Sequence, residues 1–254
     1  MKIMLAFLGV VIVAVLGCGV SYRDDLDYSY AVEQSYSLEE FEFGDGEHAE
    51  LVQYEFVGLD LIAMSPIRDA IAKDRIADGR KVLEISSGTG LLSVLCLSNG
   101  AKQVVATDIQ PAAVANTRYN AANLVSDGKI DARLRPASSS QAYSAIASEE
   151  RFDLIITDAN RVHYDSSSTP QSEANDKQES FVKSLIEGLP LHLTSNGRCL
   201  VLSDRKKTLD QVIELAQANQ ITLKTLDSRD PEILGEDFSP SFMVELRVPP
   251  SANE

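Results

Sequence analysis

Apolar positions between residues 81 and 109 fall in two short runs, KVLEI (81–85) and QVVATDI (103–109), on either side of the aliphatic stretch GLLSVLCLSNG (90–100). Short β-branched runs read as strands, and the longer aliphatic stretch closed by Gly100 reads as a helix. The alternation continues. PAAVANTRYNAANL (111–124) predicts a helix with Pro111 in its first turn, and KIDARLR (129–135) predicts a third strand. FDLIITDA (152–159) predicts a fourth strand, apolar on both faces as a central parallel strand is. A helix over 177–189 leads to GRCLVLSD (197–204) as strand five, and 208–219 form another helix. ITLKTLDS (221–228) and SFMVELRV (241–248) predict a closing antiparallel hairpin. This order predicts an α/β domain over 51–250 with a doubly wound, Rossmann-like, mostly parallel sheet. Ligands of such sheets bind at the carboxyl ends of the strands.

The chain before this pattern is of other kinds. Leu51, Tyr54, Val57 and Leu61, then Ile67, Ala70 and Ile71, follow helical spacing, and Gly58 and Pro66 divide the segment into two helices. Residues 19–50 hold many carboxylates, with Arg23 as their one Lys or Arg, and read as an acidic linker that orders, if anywhere, at EEFEF (39–43). Residues 1–18 open with Lys2 and run apolar, as a secretion signal does. VLGC (15–18) resembles a bacterial lipobox, which implies cleavage before Cys18 and lipidation of that cysteine. The alternative is an uncleaved signal anchor that leaves the domain in the cytoplasm, since about 18 apolar residues span a bilayer. Either reading tethers the protein to a membrane; the slight charge excess of Lys2 and the amino terminus favours export. Cys96 and Cys199 lie in apolar runs and read as buried thiols.

Composition narrows the partners. A formal net charge of −15 argues against nucleic acid, because phosphate neutralisation needs a basic face. The Arg205-Lys206-Lys207 triplet reads as a solvated loop. His48, His163 and His192 are far apart and show no metal-ligand spacing. A small molecule or a protein is the expected substrate.

The candidate chemistry sits in VLEISSGTGLLS (82–93), a strand, a tight small-residue loop and a helix start. GTGLLS, with Asp108 beyond it, nearly matches the dinucleotide pattern, which keeps a nicotinamide-dependent oxidoreductase as an alternative. Three features favour a different cofactor. Glu84 ends the first strand, where a carboxylate suits an ammonium group better than a pyrophosphate. Asp108 ends the second strand and is followed by IQPAAVANTRYNAAN. The fourth strand ends in TDAN (157–160). Together these resemble the class I S-adenosylmethionine-dependent methyltransferases, in particular the small-domain group that includes ribosomal-protein, release-factor and some RNA methyltransferases. The resemblance covers about residues 55 to 250 and is most specific in the stretch that begins at Asp108.

That resemblance implies a cofactor, S-adenosylmethionine, and roles for individual residues. Glu84 meets the methionine ammonium, and Gly88 and Gly90 let backbone approach the aminoacyl arm at a helix N-terminus. Asp108 accepts hydrogen bonds from both ribose hydroxyls, Ile109 lies against adenine, and Ser138 is the nearest polar candidate for the adenine amino group. Two departures bear on activity. Ser86 replaces the first glycine of the loop; if the position needs positive φ, its side chain costs about 1–2 kcal/mol. Asp158-Ala159-Asn160-Arg161 replaces the Asn-Pro-Pro-aromatic sequence of relatives that methylate planar nitrogens. Asp158 and Asn160 are the candidate catalytic residues, Asp158 orienting a nucleophile or acting as a weak base, or else capping its own loop. The polar segment 163–180 reads as a lid or a surface loop, with His163 as its one candidate for proton removal and Tyr164 beside it. The expected function is methyl transfer to a protein or small-molecule acceptor by a membrane-anchored enzyme. The alternative is an exported, non-catalytic methyltransferase-like lipoprotein that acts by binding, because the cofactor is made in the cytosol.

Overall fold

The structure is a computed structural model that describes residues 26–37, 50–125, 130–136, 138–160 and 171–250. The apolar stretch, Cys18, EEFEF, His163 and Tyr164 lie outside the described residues. The sheet strands follow the apolar runs: β3 (Lys81–Ile85), β4 (Gln103–Asp108), β5 (Ile130–Leu134), β6 (Phe152–Asp158), β7 (Leu193–Arg205), β8 (Thr222–Thr225) and β9 (Asp237–Arg247). They form one seven-stranded sheet in the order β5-β4-β3-β6-β7-β9-β8. The first five of these are parallel neighbours, and β9 runs antiparallel to both β7 and β8. The chain winds outward from β3 to β5, then returns to β6 on the other side of β3. That reversal opens a crevice at the carboxyl ends of β3 and β6.

Alternate residues of each strand build two cores. Leu83, Ile85, Val105, Ile155 and Val201 pack under α4 (Gln171–His192) and α5 (Lys206–Ala218). Val82, Val104, Leu154, Ile156 and Leu200 pack under α1 (Ser65–Ala72) and α2 (Leu91–Ser98). A third helix on this side, α3 (Pro111–Leu124), covers β4 and β5 and begins with Pro111 as expected. Cys96 and Cys199 are free and buried, one in each core. The basic triplet is not a loop. Arg205 ends β7, while Lys206 and Lys207 open α5 and pair with Asp210 and Glu179.

The segment before α1 differs most from the sequence reading. Residues 51–61 do not form a helix. Glu50–Tyr54 is a strand, β2, antiparallel to β1 (Val32–Ser37), which lies inside the stretch read as a linker. Leu51, Tyr54 and Val57 are all buried, so their spacing marked burial correctly but not the backbone that achieves it. The deciding partners are distant. Asn116 Oδ1 accepts from the Tyr54 amide at 2.9 Å and Asn120 Oδ1 from the Val52 amide at 2.9 Å, while both Asn side chains donate to the Val52 carbonyl. Two amides one helical turn apart thus satisfy the inner edge of β2 as a neighbouring strand would.

Candidate functional site

The loop after β3 is built by its own backbone. Amides of Ser86 and Ser87 both donate to the Thr107 carbonyl, at 2.8 and 3.1 Å, which folds the chain across the end of β4. Ser86 then takes φ 69°, Gly88 φ 54° and Gly90 φ 79°. Gly90 admits no side chain, since a Cβ there would lie 2.9 Å from Thr117 of α3. Gly88 is roofed from the other side: a Cβ there would lie 3.1 Å from the Gly58 carbonyl. Asn120 Nδ2 also donates to Thr89 O at 2.8 Å, so α3 holds both the loop and the β1–β2 hairpin. For Ser86, the positive-φ condition holds, and its side chain sits in a backbone conformation that favours glycine.

Beneath this loop is a narrow cleft, about 420 Å³ when the open solvent at its mouth is included. Glu84, Ser86, Gly88 and Asp158 line it together with Gly58 and Leu59 of the covering segment. Glu84 is 3% exposed, and burial pushes its carboxyl up to about 8, against the hydrogen bonds from Ser93 that favour ionisation. The Ser93 hydroxyl, on the first turn of α2, donates to its Oε2. A cation brought beside such a buried acid would favour its ionised form by pairing with it.

Asp108 lies beside the cleft rather than in its lining. Its Oδ2 accepts from the Gly88 amide at 3.0 Å and its Oδ1 from the Gln110 amide at 2.9 Å. Each carboxylate oxygen has a second lone pair, so these bonds orient the group without exhausting it. Of the other expected residues, Ile109 is buried against the α4–α5 core, and Ser138 is exposed beyond β5; neither lines the cleft. At the end of β6, Asp158 Oδ1 accepts from the Asn160 amide at 3.0 Å and from Asn160 Nδ2 at 3.3 Å. The capping role of Asp158 is therefore present, and the same residue also faces the cleft. Asn160 Oδ1 in turn accepts from Ser203 Oγ at 3.2 Å.

Several residues of the site escaped the sequence reading. Ser93, Asn116 and Asn120 belong to motifs already quoted, but nothing in one sequence says which face they serve. Gln178 of α4 donates to the carbonyl of Ala159, the residue directly after β6. Arg135, directly after β5, is 1% exposed, with Nη2 3.4 Å from Ser86 Oγ and its guanidinium 5.3 Å from the Phe181 ring centre. A basic residue closing RLR was the available signal in the sequence; Ser138 lies three residues on, exposed and outside the cleft lining.

Known proteins resemble this arrangement. Residues 62–160 match the family model described as ribosomal protein L11 methyltransferase. A ribosomal protein L11 methyltransferase of Porphyromonas gingivalis is 40% identical over 84 residues, covering 33% of this chain and 26% of that protein. A protein carrying the name of a protein N5-glutamine methyltransferase in Methanocaldococcus jannaschii is 50% identical over 42 residues, 16% of this chain and 21% of that one. The match thus spans about a quarter of the length of these curated relatives. Among solved structures, a protein described as a methyltransferase, crystallised with S-adenosylhomocysteine, superposes with a TM-score of 0.53. It shares 17% identity over 74% of this chain and 50% of its own. The strand order with one antiparallel insertion, the loop geometry and these matches together give the described domain the fold of a class I S-adenosylmethionine-dependent methyltransferase.

Proposed function

We propose that the protein binds S-adenosylmethionine in the cleft between β3 and β6 and transfers its methyl group to a protein or small-molecule acceptor. The observation that carries this reading is the buried Glu84 carboxyl lining a cleft whose glycine loop is tied to Asp108. Those residues fit the cofactor. Glu84 would take the ammonium group, the loop amides at the start of α2 the aminoacyl arm, and Asp108 the ribose hydroxyls. When bound, the cofactor supplies a sulfonium methyl with a good leaving group. The protein's part is then to position the acceptor and exclude water, for which Gly58, Leu59 and Met64 form the roof of the cleft. Asp158 lines the cleft and would orient an acceptor amine or hydroxyl. The names of the relatives favour a protein acceptor. The membrane tether through residues 1–18, by lipidation of Cys18 or by a signal anchor, is part of the same proposal and rests on the sequence alone.

A second reading is favoured by Ser86. A side chain at φ 69° in the cofactor loop fits an exported relative that acts by binding and no longer catalyses. Calorimetric titration of the full chain in mild detergent with S-adenosylmethionine, S-adenosylhomocysteine and NAD separates the cases. Micromolar binding of the first two supports the enzyme; binding of NAD alone restores the oxidoreductase; no binding by folded protein leaves the non-catalytic reading.

A further inference from the structure

Resting on that reading, we infer that the acceptor is a basic polypeptide segment that seats its apolar side chains on Phe56 and Ile62, beside the cleft roof. Phe56 is 88% exposed and Ile62 is 68% exposed. In the chain they flank Gly58 and Leu59, which line the cleft. Both are held in place by their neighbours. Phe56 takes φ 65° between Tyr54 and Val57, which are buried. The Val57 amide donates to the Tyr54 carbonyl at 3.1 Å, and Gln53 Nε2 donates to the Val57 carbonyl at 2.6 Å. At the other end, Asp60 Oδ1 accepts from the amides of Ile62 and Ala63 at 3.1 and 2.9 Å. A bulky residue in the left-handed region is strained, and a ring left in water forgoes the gain of burial. The fold gains from neither, and such strain gathers where a chain meets its ligands.

A second wall stands beside this one. The Leu226 amide donates to the Met243 carbonyl at 3.0 Å, and Met243 pairs with Leu202, which lines the cleft. The chain from 226 to 241 therefore lies at the carboxyl ends of β6 and β7, as the cleft does. The Ser241 amide ties it to the covering segment by donating to the Ala63 carbonyl at 3.2 Å. Its Ile233 is 81% exposed. Glu55, Asp230, Glu232 and Glu236 are exposed on the two segments. Residues 55–63 contain no Lys or Arg, and 226–241 contain one, Arg229, which Asp227 holds in an ion pair. Arg205, Lys206 and Lys207, after β7 reaches this end, each pair with a carboxylate. Exposed apolar side chains among carboxylates suit a segment that carries both apolar and cationic residues. Neither Phe56 nor Ile62 lines the cleft, so a small acceptor inside it would leave both in water. An anionic lipid surface is repelled by the same carboxylates.

The test measures binding of three labelled synthetic peptides to the full chain in mild detergent, with empty micelles subtracted. One is rich in Lys and Leu, the second has Ser for every Leu, and the third has Glu for every Lys. S-adenosylhomocysteine is titrated alongside. The unaltered protein should bind the first peptide at least about tenfold more tightly than either control, the span of burying one leucine side chain. In the double variant Phe56→Asn, Ile62→Ser that advantage over the Ser peptide should fall below about threefold, while S-adenosylhomocysteine affinity stays within about twofold. Asparagine tolerates the left-handed region, so the turn is kept. An undiminished advantage in the variant, or equal binding of the Glu peptide, would overturn the inference and leave the cofactor reading standing. Binding to anionic phospholipid vesicles, or self-association, that the double variant alone loses would overturn it in favour of a membrane or a second copy. Failure of the unaltered protein to bind S-adenosylhomocysteine would remove the cofactor reading, and the acceptor role with it, whatever the peptides do.

Discussion

The Ser93 hydroxyl of α2 donates to the Glu84 carboxylate of β3 inside a site from which water is nearly excluded. Burial dominates that bond and raises the carboxyl from 4.5 to about 8. The folded protein thus keeps a proton that the unfolded chain releases. The contribution to stability is full below 4.5 and is lost as pH rises through about 8. Thermal midpoints of the unaltered protein should therefore fall relative to Glu84→Gln as pH rises from about 6 to 9. A constant difference across that range would place the carboxyl at its ordinary value. An ammonium-bearing ligand reverses the sign, so binding near neutral pH should release a proton, read as a dependence of the binding heat on buffer ionisation enthalpy.

Asp108 holds the Gly88 and Gln110 amides and, in the proposed function, would also take the ribose hydroxyls. Asp108→Ala should weaken S-adenosylhomocysteine binding by at least about 100-fold, two charge-assisted hydrogen bonds being lost. Calorimetry reads the loss, and unchanged affinity would remove the ribose assignment.

Ser86→Gly relieves the left-handed conformation. The strain of about 1–2 kcal/mol is offset in part by the greater freedom of glycine in the unfolded chain, leaving a gain of about 1 kcal/mol. Urea denaturation measures it. A loss of stability would mean that the contact with Arg135 outweighs the strain.

Asn120 serves Val52 and Thr89 at once, so Asn120→Ala leaves a buried amide and two carbonyls with fewer partners. A loss of about 2–4 kcal/mol is expected. Amide exchange should rise together in β2 and in the loop at 88–90, since one side chain restrains both. Faster exchange in β2 alone would show that the loop holds itself.

The proposed lipid anchor has a separate check. Cys18→Ser should abolish incorporation of labelled fatty acid in bacterial cells, and continued acylation of that variant would rule out the lipobox. A protein that is never acylated yet stays with the membrane fraction would support the signal anchor.

Much of the fold was legible in local pattern. KVLEI and PAAVANTRYNAANL coincide residue for residue with β3 and α3, because a two-sided apolar strand and a proline-started helix need no distant information. The glycine loop and the positions of Glu84 and Asp108 near strand ends were legible for a related reason: a strand that breaks into small residues is a local signal. The helix expected over 51–61 failed where local pattern is silent. Leu51, Tyr54 and Val57 have the spacing of a helical face, yet the polar, mostly exposed β1 and the asparagines of α3 make the segment a strand.

From β3 onward, the sequence by itself determined the order of strands and helices, the doubly wound class and the acidic residues at the ends of β3 and β4. Each is written in hydrophobic period and turn chemistry within a few residues. Only the tertiary structure decided that Ser86 is left-handed, that Glu84 is buried deeply enough to hold its proton, and that Arg135 reaches Ser86 across 49 positions of chain. Backbone handedness, desolvation and the meeting of distant charges are set by what packs around a residue, and no neighbour along the chain carries that information.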